Sequence, residues 1–491
     1  MQYLRGSRLT IPWVPHIGKR STTENKPTDS GIFSALRFRN YRLFWFGQLV
    51  SVTGTFMQST AQQWLVLTLS PNNPLPLGIV GALQFGPALI PLGGLVADRF
   101  PRRVVLMFTQ AVSGILAIML FALTALGLVQ LWQVYVLALA LGIVNSVDMP
   151  SRQAFVSEMV PSEYLLNAVS LNSAQFNASR IVGPGIAGAL IAILGVPVMF
   201  LLNGISYGAV IVGLLFMRPS ELVPVPVDVT ARERGQIRAL ADGVRFVLRD
   251  TTVRTTFLMI LVVGTLGFNF NVLLPLEATQ VLHAGPAIFG LLTSSLGVGA
   301  LLGALILARR KQKPSNRLLV YTVGAFGLIE VSIAFTPSVA LTMVVIAMTG
   351  FTMSMFSASA NTRVQLASAP EMRGRVMSVY GMVFMGTTPI GNLIVSGVAS
   401  GSVAMAFIVS GFPCFLSAVA AGWIWHRAGQ LNTPRGRNSR PLMAEYDRAG
   451  SPAAAALAQP DTSSGARQSP SRLSHRAPGT PRLHPRAAER E

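Results

Sequence analysis

Gly93-Gly94-Leu95-Val96-Ala97-Asp98-Arg99-Phe100-Pro101-Arg102-Arg103 stands between two long apolar runs, 77–97 and 104–128. A glycine pair, one acid and three arginines crowd a turn too short to be a domain. Each flanking run has the roughly 20 residues that a helix needs to cross about 30 Å of hydrocarbon. The stretch therefore reads as a tight loop between two membrane helices. Glycines let such helices approach closely, and Asp98, Arg99, Arg102 and Arg103 can pin the turn to its neighbours through charge-assisted hydrogen bonds. An ordinary loop that carries arginines only to fix orientation would share part of this pattern, so the rest of the chain must separate the two readings.

Composition excludes a soluble protein. Of 491 residues, 51% are hydrophobic and only 12% charged, where soluble chains carry about 25% charge. A net charge of +20 would suggest a nucleic-acid partner if the chain were soluble. The placement of that charge argues otherwise. Apart from Arg180, the Lys and Arg residues fall in the two tails or in alternate loops, and the loops between hold none. This is the positive-inside pattern of a polytopic membrane protein. It predicts a lipid bilayer, not nucleic acid, as the surrounding partner. Cys414 is the one cysteine, so no disulfide framework is expected. Residues 1–33 lack the apolar core of a secretory signal.

Outward from the quoted stretch, apolar runs of membrane length fall near 43–69, 77–97, 104–128, 131–149, 167–194 and 197–217. A second set falls near 255–280, 286–308, 317–336, 339–360, 376–400 and 403–425. The expected fold is an all-α membrane protein of twelve transmembrane helices in two six-helix bundles. Residues 1–42 form a cytoplasmic tail with a short interfacial helix at 34–42, and 43–217 the first bundle. Residues 218–254 make a linker, 255–425 the second bundle, and 426–491 a disordered cytoplasmic tail. In the linker, Ile237, Leu240, Val244, Val247 and Leu248 recur at helical spacing with arginines on other faces, the mark of an amphipathic surface helix. A solvated connector without a role of its own is the plainer reading of it.

An internal repeat supports two halves. Gly183-Pro184-Gly185-x-x-Gly188 is echoed by Gly386-x-x-Pro389-x-Gly391. The loop from Ser151-Arg152 to Val169-Ser170 is echoed by Thr362-Arg363 to Met377-Ser378. The copies lie roughly 200 residues apart, the length of a duplicated six-helix unit with its linker.

Four ionisable residues fall inside or at the ends of the expected spans: Arg180, Asp148, Glu277 and Glu330. A charge in hydrocarbon costs several kcal/mol, so each is a candidate for function. Arg180 sits about 20 Å along its span at 1.5 Å per residue, near the midplane. It is read either as a transport group or as a bridge to another helix. Directly after it, Gly183, Pro184 and Gly188 form a motif suited to a kink and close packing. Glu330 lies at similar depth and suits either reversible protonation or a hydrogen bond between helices. Glu277 is read as an acid at a cavity mouth or at the interface. Gln48, Gln58 and Gln62, with Asn269, Asn271 and Asn361, place uncharged polar groups on apolar helices; they suit a cavity lining or interhelical hydrogen bonds. The sequence carries no phosphate-binding loop, no His/Cys cluster and no nucleophile motif, so neither enzyme, metal nor cofactor is predicted.

The opening stretch resembles the loop 2–3 signature of the major facilitator superfamily, read from Gly94, with Pro101 where that pattern has glycine. Phe38-Arg39-Asn40-Tyr41-Arg42-Leu43-Phe44-Trp45, Pro150-Ser151-Arg152-Gln153-Ala154-Phe155 and Asn167-Ala168-Val169-Ser170-Leu171-Asn172 resemble its enterobactin-exporter-like, drug:proton antiporter branch over residues 34–426. The resemblance implies a secondary transporter in a bacterial inner membrane with both termini cytoplasmic. It would export a bulky amphipathic small molecule, a drug or siderophore-like metabolite, by exchange for protons. A nutrient importer or a transport-inactive sensor of the same fold are the alternatives. The resemblance also implies gating by Gly94, Asp98, Arg99, Arg102, Arg103 and Asp148. Asp148 would pair with Arg99, Arg102 or Arg103, and Asp98 would face the region 375–378.

Overall fold

The computed structural model describes residues 31, 33–71, 73–85, 100–222, 236–310 and 312–431, all within one packed unit. Gly94, Asp98 and Arg99 lie outside the described residues, as do most of both tails. Among the described residues the architecture is helical. In chain order the helices are α1 (Arg39–Leu69), α2 (Leu75–Phe85), α3 (Arg102–Ala125), α4 (Leu131–Met159), α5 (Ser162–Leu194) and α6 (Pro197–Leu215). Then come α7 (Gln236–Arg249), α8 (Thr251–Val262), α9 (Phe270–Leu276), α10 (Pro286–Arg309), α11 (Asn316–Ile333) and α12 (Val339–Ala367). The last described helices are α13 (Pro370–Gly386), α14 (Thr388–Ala399) and α15 (Val403–Arg427).

Ten stretches among the described residues are long and apolar enough to cross a membrane. They count α8 and α9 as one span, Thr251–Val281, and α13 and α14 as another, Met372–Ala399. Helix α1 has 31 residues, ample length, but its glutamines, serines and threonines dilute its apolarity. Caps set several starts. Asp250 accepts the amide hydrogens of Thr252 and Val253 at 2.9 and 3.0 Å, and Ser315, Ser338 and Ser402 cap α11, α12 and α15 the same way. Gly195, at φ 82°, stops α5 in a conformation that side chains resist.

Several boundaries differ from the sequence reading. Helix α4 does not stop at Met149 but runs through Pro150 to Met159, and α12 continues past residue 360 to Ala367. A proline inside a membrane helix is tolerated where neighbouring groups take up the freed backbone atoms. Both extensions lift residues assigned to loops onto helices, notably Arg152, Glu158 and Arg363. No separate interfacial helix spans 34–42. A short 3-10 turn, Ser34–Arg37, leads through extended Phe38 straight into α1. That entry is tied to α5, where Tyr41 donates to the Ala168 carbonyl at 2.8 Å and the Arg37 guanidinium lies 4.0 Å from the Tyr164 ring centre. The linker helix α7 is also not merely solvated. Asp242 accepts from Arg375 of α13 at 2.9 Å, and a side chain at Gly243 would meet the Arg375 carbonyl at 2.8 Å. Val244 and Leu248 stay exposed on its other side.

Candidate functional site

Arg102, Arg103, Arg309, Arg310, Arg317 and Arg427 lie near one set of helix ends, the basic side. The turns at Gly195 and Gly285 mark the opposite side. Close to the opposite side the helices pack with little room for side chains. A Cβ on Gly188 of α5 would come within 2.9 Å of the Gly290 Cα and 2.6 Å of the Pro286 carbonyl of α10. One turn deeper, Ser294 donates to the Ile181 carbonyl at 2.7 Å. Trp64 of α1 stacks on Phe289 of α10, and Gly81 of α2 lies against the Asn392 side chain of α14. Gly183 is pressed to α1, where an added Cβ would meet Phe56 at 2.7 Å. The Gly183-Pro184-x-x-x-Gly188 motif thus serves close approach, and α5 runs unbroken through Pro184.

The same stripe of α5 changes character along its length. Pro184, Ala187 and Ile191 are buried, while Ser170 and Ser173, three and four residues apart on the continuation of that face, are exposed and Asn177 and Arg180 partly so. The helical phase is unbroken at 3.6 residues per turn. The stripe of α10 that faces α5 behaves likewise: Gly290 and Gly297 are buried, and Leu305 and Ala308 exposed. The glycine contacts between the two helices reach as far as Gly297, whose Cβ would touch Ile181. Below that level a polar face opens toward the basic side, with Arg180 at its top. The lipid-compatible face of α5 is a different one, with Val182, Ile186 and Ile193 exposed.

Arg180 makes no hydrogen bond or ion pair among the described residues. Glu330 of α11 is fully buried, and neither carboxylate oxygen has a hydrogen-bond partner; the hydrogen-bonded bridge considered from sequence is absent there. It sits next to the contact of Gly327 with Gly411 of α15. Glu277 is buried between α9 and the opposite side, with its Oε1 unpartnered, not exposed at an interface. Among the described residues the structure does not bring Arg180, Glu330 and Glu277 into contact.

Asp148 departs from the expected pairing. It accepts from Thr109 at 2.6 Å and Gln110 at 2.8 Å, both on α3, and is ion-paired to Arg152, one turn along its own helix. Arg152 also donates to Gln48 of α1 at 2.6 Å. Arg102 instead binds Glu158 at 2.6 Å, and Arg103 donates to the Leu214 carbonyl at 2.8 Å. Extension of α4 through Pro150 explains this, because it brings Arg152 within one turn of Asp148. Arg375, placed from sequence opposite Asp98, holds Asp242.

The amides divide in two. Gln58 accepts from Asn203 of α6 at 2.8 Å, Gln62 from Gln84 of α2 at 3.2 Å, and Gln48, Gln58 and Gln62 are all buried. They lock α1 to its neighbours and do not line an open space. Asn269 is buried too, donating to the Thr265 and Leu266 carbonyls at 2.7 and 2.8 Å where a wide π-type turn joins α8 to α9. Asn271 is partly buried, and Asn361 accepts from exposed Gln365 at 2.6 Å. Sequence reading missed Arg152 and Arg363 as embedded residues. Their correspondence across the internal repeat was the available signal, since Arg363 is buried and donates to Asn316.

The family model described as transmembrane secretion effector matches residues 30–444. The chain is 24% identical over 367 residues to the Staphyloferrin A transporter of Staphylococcus aureus, covering 72% of this chain and 88% of that protein. It is 28% identical over 390 residues to the multidrug efflux pump Tap of Mycolicibacterium fortuitum, with 77% and 94% covered. It is 25% identical over 328 residues to the enterobactin exporter EntS of Citrobacter koseri, with 66% and 76% covered. A solved POT family transporter in complex with a thioalcohol-conjugated peptide shares the fold at TM-score 0.64 and 14% identity, over 80% of this chain and 97% of that one. A match across most of the helical region, to a family of transporters, agrees with a polar face that opens from one side of a helical membrane protein: the chain belongs to the transmembrane secretion effector family of the major facilitator superfamily.

Proposed function

We propose that this transporter exports a bulky amphipathic organic compound, a drug or siderophore-like metabolite, in exchange for protons. The observation that carries the reading is the α5 stripe, polar and open from the basic side up to Arg180 and sealed by Gly188 against Gly290 beyond it. Such a face admits cargo from one side only, which is one half of an alternating-access cycle. The basic side is the cytoplasmic one by the positive-inside rule, with both termini there. The chain then crosses a bacterial inner membrane twelve times, with α1 and the 77–97 run added to the ten apolar stretches. The two bundles, 43–217 and 255–425, rock about the midplane.

Glu330 is the proposed proton carrier. An ionised carboxylate without partners in hydrocarbon costs several kcal/mol, and the proton is the smallest counterpart it can take. Arg180 and Glu277 are the other coupling candidates. Asp148 with Arg152, Arg102 with Glu158, and the unseen Gly94, Asp98 and Arg99 form the proposed gating side. Relatives named for multidrug efflux and for enterobactin export support the outward direction. The test is accumulation of dyes, macrolides and catecholates in cells stripped of their own exporters, with and without the protein. Lower accumulation that a protonophore abolishes is expected. Unchanged accumulation of every compound, with the protein present in the membrane, would overturn the reading.

A further inference from the structure

Arg180 is a permanent cation near the middle of α5, 18 residues from Ser162 and 14 from Leu194, which is about 27 and 21 Å along the axis at 1.5 Å per residue. Burying such a charge without a counter-ion is costly, so embedded arginines normally hold a carboxylate or backbone carbonyls. This one holds neither among the described residues.

Among the described residues the protein's own acids do not supply the partner. Asp148 is occupied by Arg152, Thr109 and Gln110, Glu158 by Arg102, and Asp242 by Arg375. Glu330 and Glu277 are buried among the later helices, and neither Glu330 oxygen nor Glu277 Oε1 has a hydrogen-bond partner. The apolar run 77–97 contains no acid at all. Glu163 is exposed at the start of α5, about 25 Å away along the helix.

Polar groups lead to Arg180 from the open side. Ser170, Ser173 and Asn177 share its face, and Asn177 donates to the Ser173 carbonyl at 2.8 Å. We infer that Arg180 is the recognition site for an oxyanion on the cargo, a carboxylate or its equivalent, and that the exported compound is an organic anion. This rests on the export reading above. The guanidinium offers two parallel N–H donors to such a group, and the Asn177 amide, with one N–H on the Ser173 carbonyl, has a second to offer, while the Ser170 and Ser173 hydroxyls already donate to the Leu166 and Val169 carbonyls. A neutral or cationic amphiphile would leave Arg180 unpaired in the occupied state. An anion removes that cost, and it enters from the basic side down a favourable potential.

The test reads local charge first and export second. Full-length protein carrying Asn177→Cys with Cys414→Ala is reconstituted in lipid nanodiscs. It is labelled with an anionic sulfonatoethyl and a cationic trimethylammonium-ethyl thiosulfonate, each rate divided by that for a free thiol. Expected is a preference for the anionic reagent of about tenfold, as a unit charge one helical turn away in a partly wet site produces. Arg180→Gln should reduce that preference to near one and Arg180→Lys should keep most of it, which separates lost charge from misfolding. A preference unchanged in Arg180→Gln, or no labelling by either reagent, overturns the inference. In cells, carboxyfluorescein and its methyl ester serve as the matched pair. Arg180→Gln is expected to cut export of the acid at least tenfold relative to the ester. Equal export of the acid by parent and variant overturns the anion site and leaves the export reading standing. A charge-dependent labelling preference without export of either dye overturns the export reading and leaves the anion site standing.

Discussion

At the scale of single residues, the chain distinguishes charges that hold the fold from charges held in reserve. Asp148 has three donors, one of them its charge partner Arg152, so its removal orphans groups on two helices. Asp148→Ala should lower stability by about 2–4 kcal/mol, less than the loss for a fully enclosed pair because the Arg152 side chain keeps some access to solvent. Thermal unfolding in detergent would show it, and a midpoint unchanged from the parent would remove Asp148 from the list of structural anchors. Glu330 is the opposite case, with no partner to orphan. Glu330→Gln keeps the volume and should leave folding intact. It should abolish uphill export driven by a proton gradient while sparing exchange of labelled for unlabelled cargo across the membrane. Uphill export at the parent rate would move the proton site elsewhere. Charge alone marked both residues in the sequence. Their difference lay in hydrogen-bond partners on α3, which no spacing along α4 or α11 reveals.

At the scale of elements, helix contacts are where reading and structure separate most. Runs of about 20 apolar residues located the membrane helices, because hydrocarbon thickness imposes length regardless of neighbours. Ends were less legible. Pro150 is a strong stop signal locally, yet α4 continues for nine more residues because its far half packs against α3 and α1 through Glu158, Arg152 and Phe155. Gln58 and Gln62 also show the limit: an amide on a membrane helix can serve a cavity or a neighbour, and only the positions of Asn203 and Gln84 decide. The glycine motif of α5 was legible as a place of close approach. What it approaches, the Pro286–Gly290 turn of α10, was not. Gly188→Val places branched carbons where a Cβ already lies 2.9 Å from Gly290. Overpacking of this kind costs about 1–3 kcal/mol, charged only to the state closed at the opposite side. The population open there should rise roughly 5- to 150-fold relative to the closed one. Spin-label distances between the ends of α5 and α10 at that side would lengthen. Distances equal to the parent's would mean that this contact does not seal the pathway.

At the scale of the whole molecule, orientation follows from charge and parity together. The basic residues near helix ends gather on one side, and in the proposed orientation, which keeps Lys and Arg in the cytoplasm, that side is internal. Ten described stretches can cross, an even number, which returns the chain to the side where it began. Helix α1 and the 77–97 run together add two further crossings and leave that parity unchanged; one of them alone would reverse it. The polar content of α1 makes this worth testing, since Gln48, Gln58 and Gln62 lower its apolarity while Asn203, Gln84 and Arg152 satisfy them only after assembly. Insertion of α1 therefore depends on its helical partners more than that of α3 or α6 does. Fusions to a fluorescent protein that matures only in the cytoplasm, and to a phosphatase active only outside, would read the topology. Fluorescence is expected for fusions after residue 100 and after residue 430. Phosphatase activity is expected for fusions after residues 71, 284 and 337. A phosphatase-active fusion after residue 430 would require an odd number of crossings. It would place the open polar face of α5, which lies on the same side as residue 430, on the outside, and with it reverse the direction of the proposed transport.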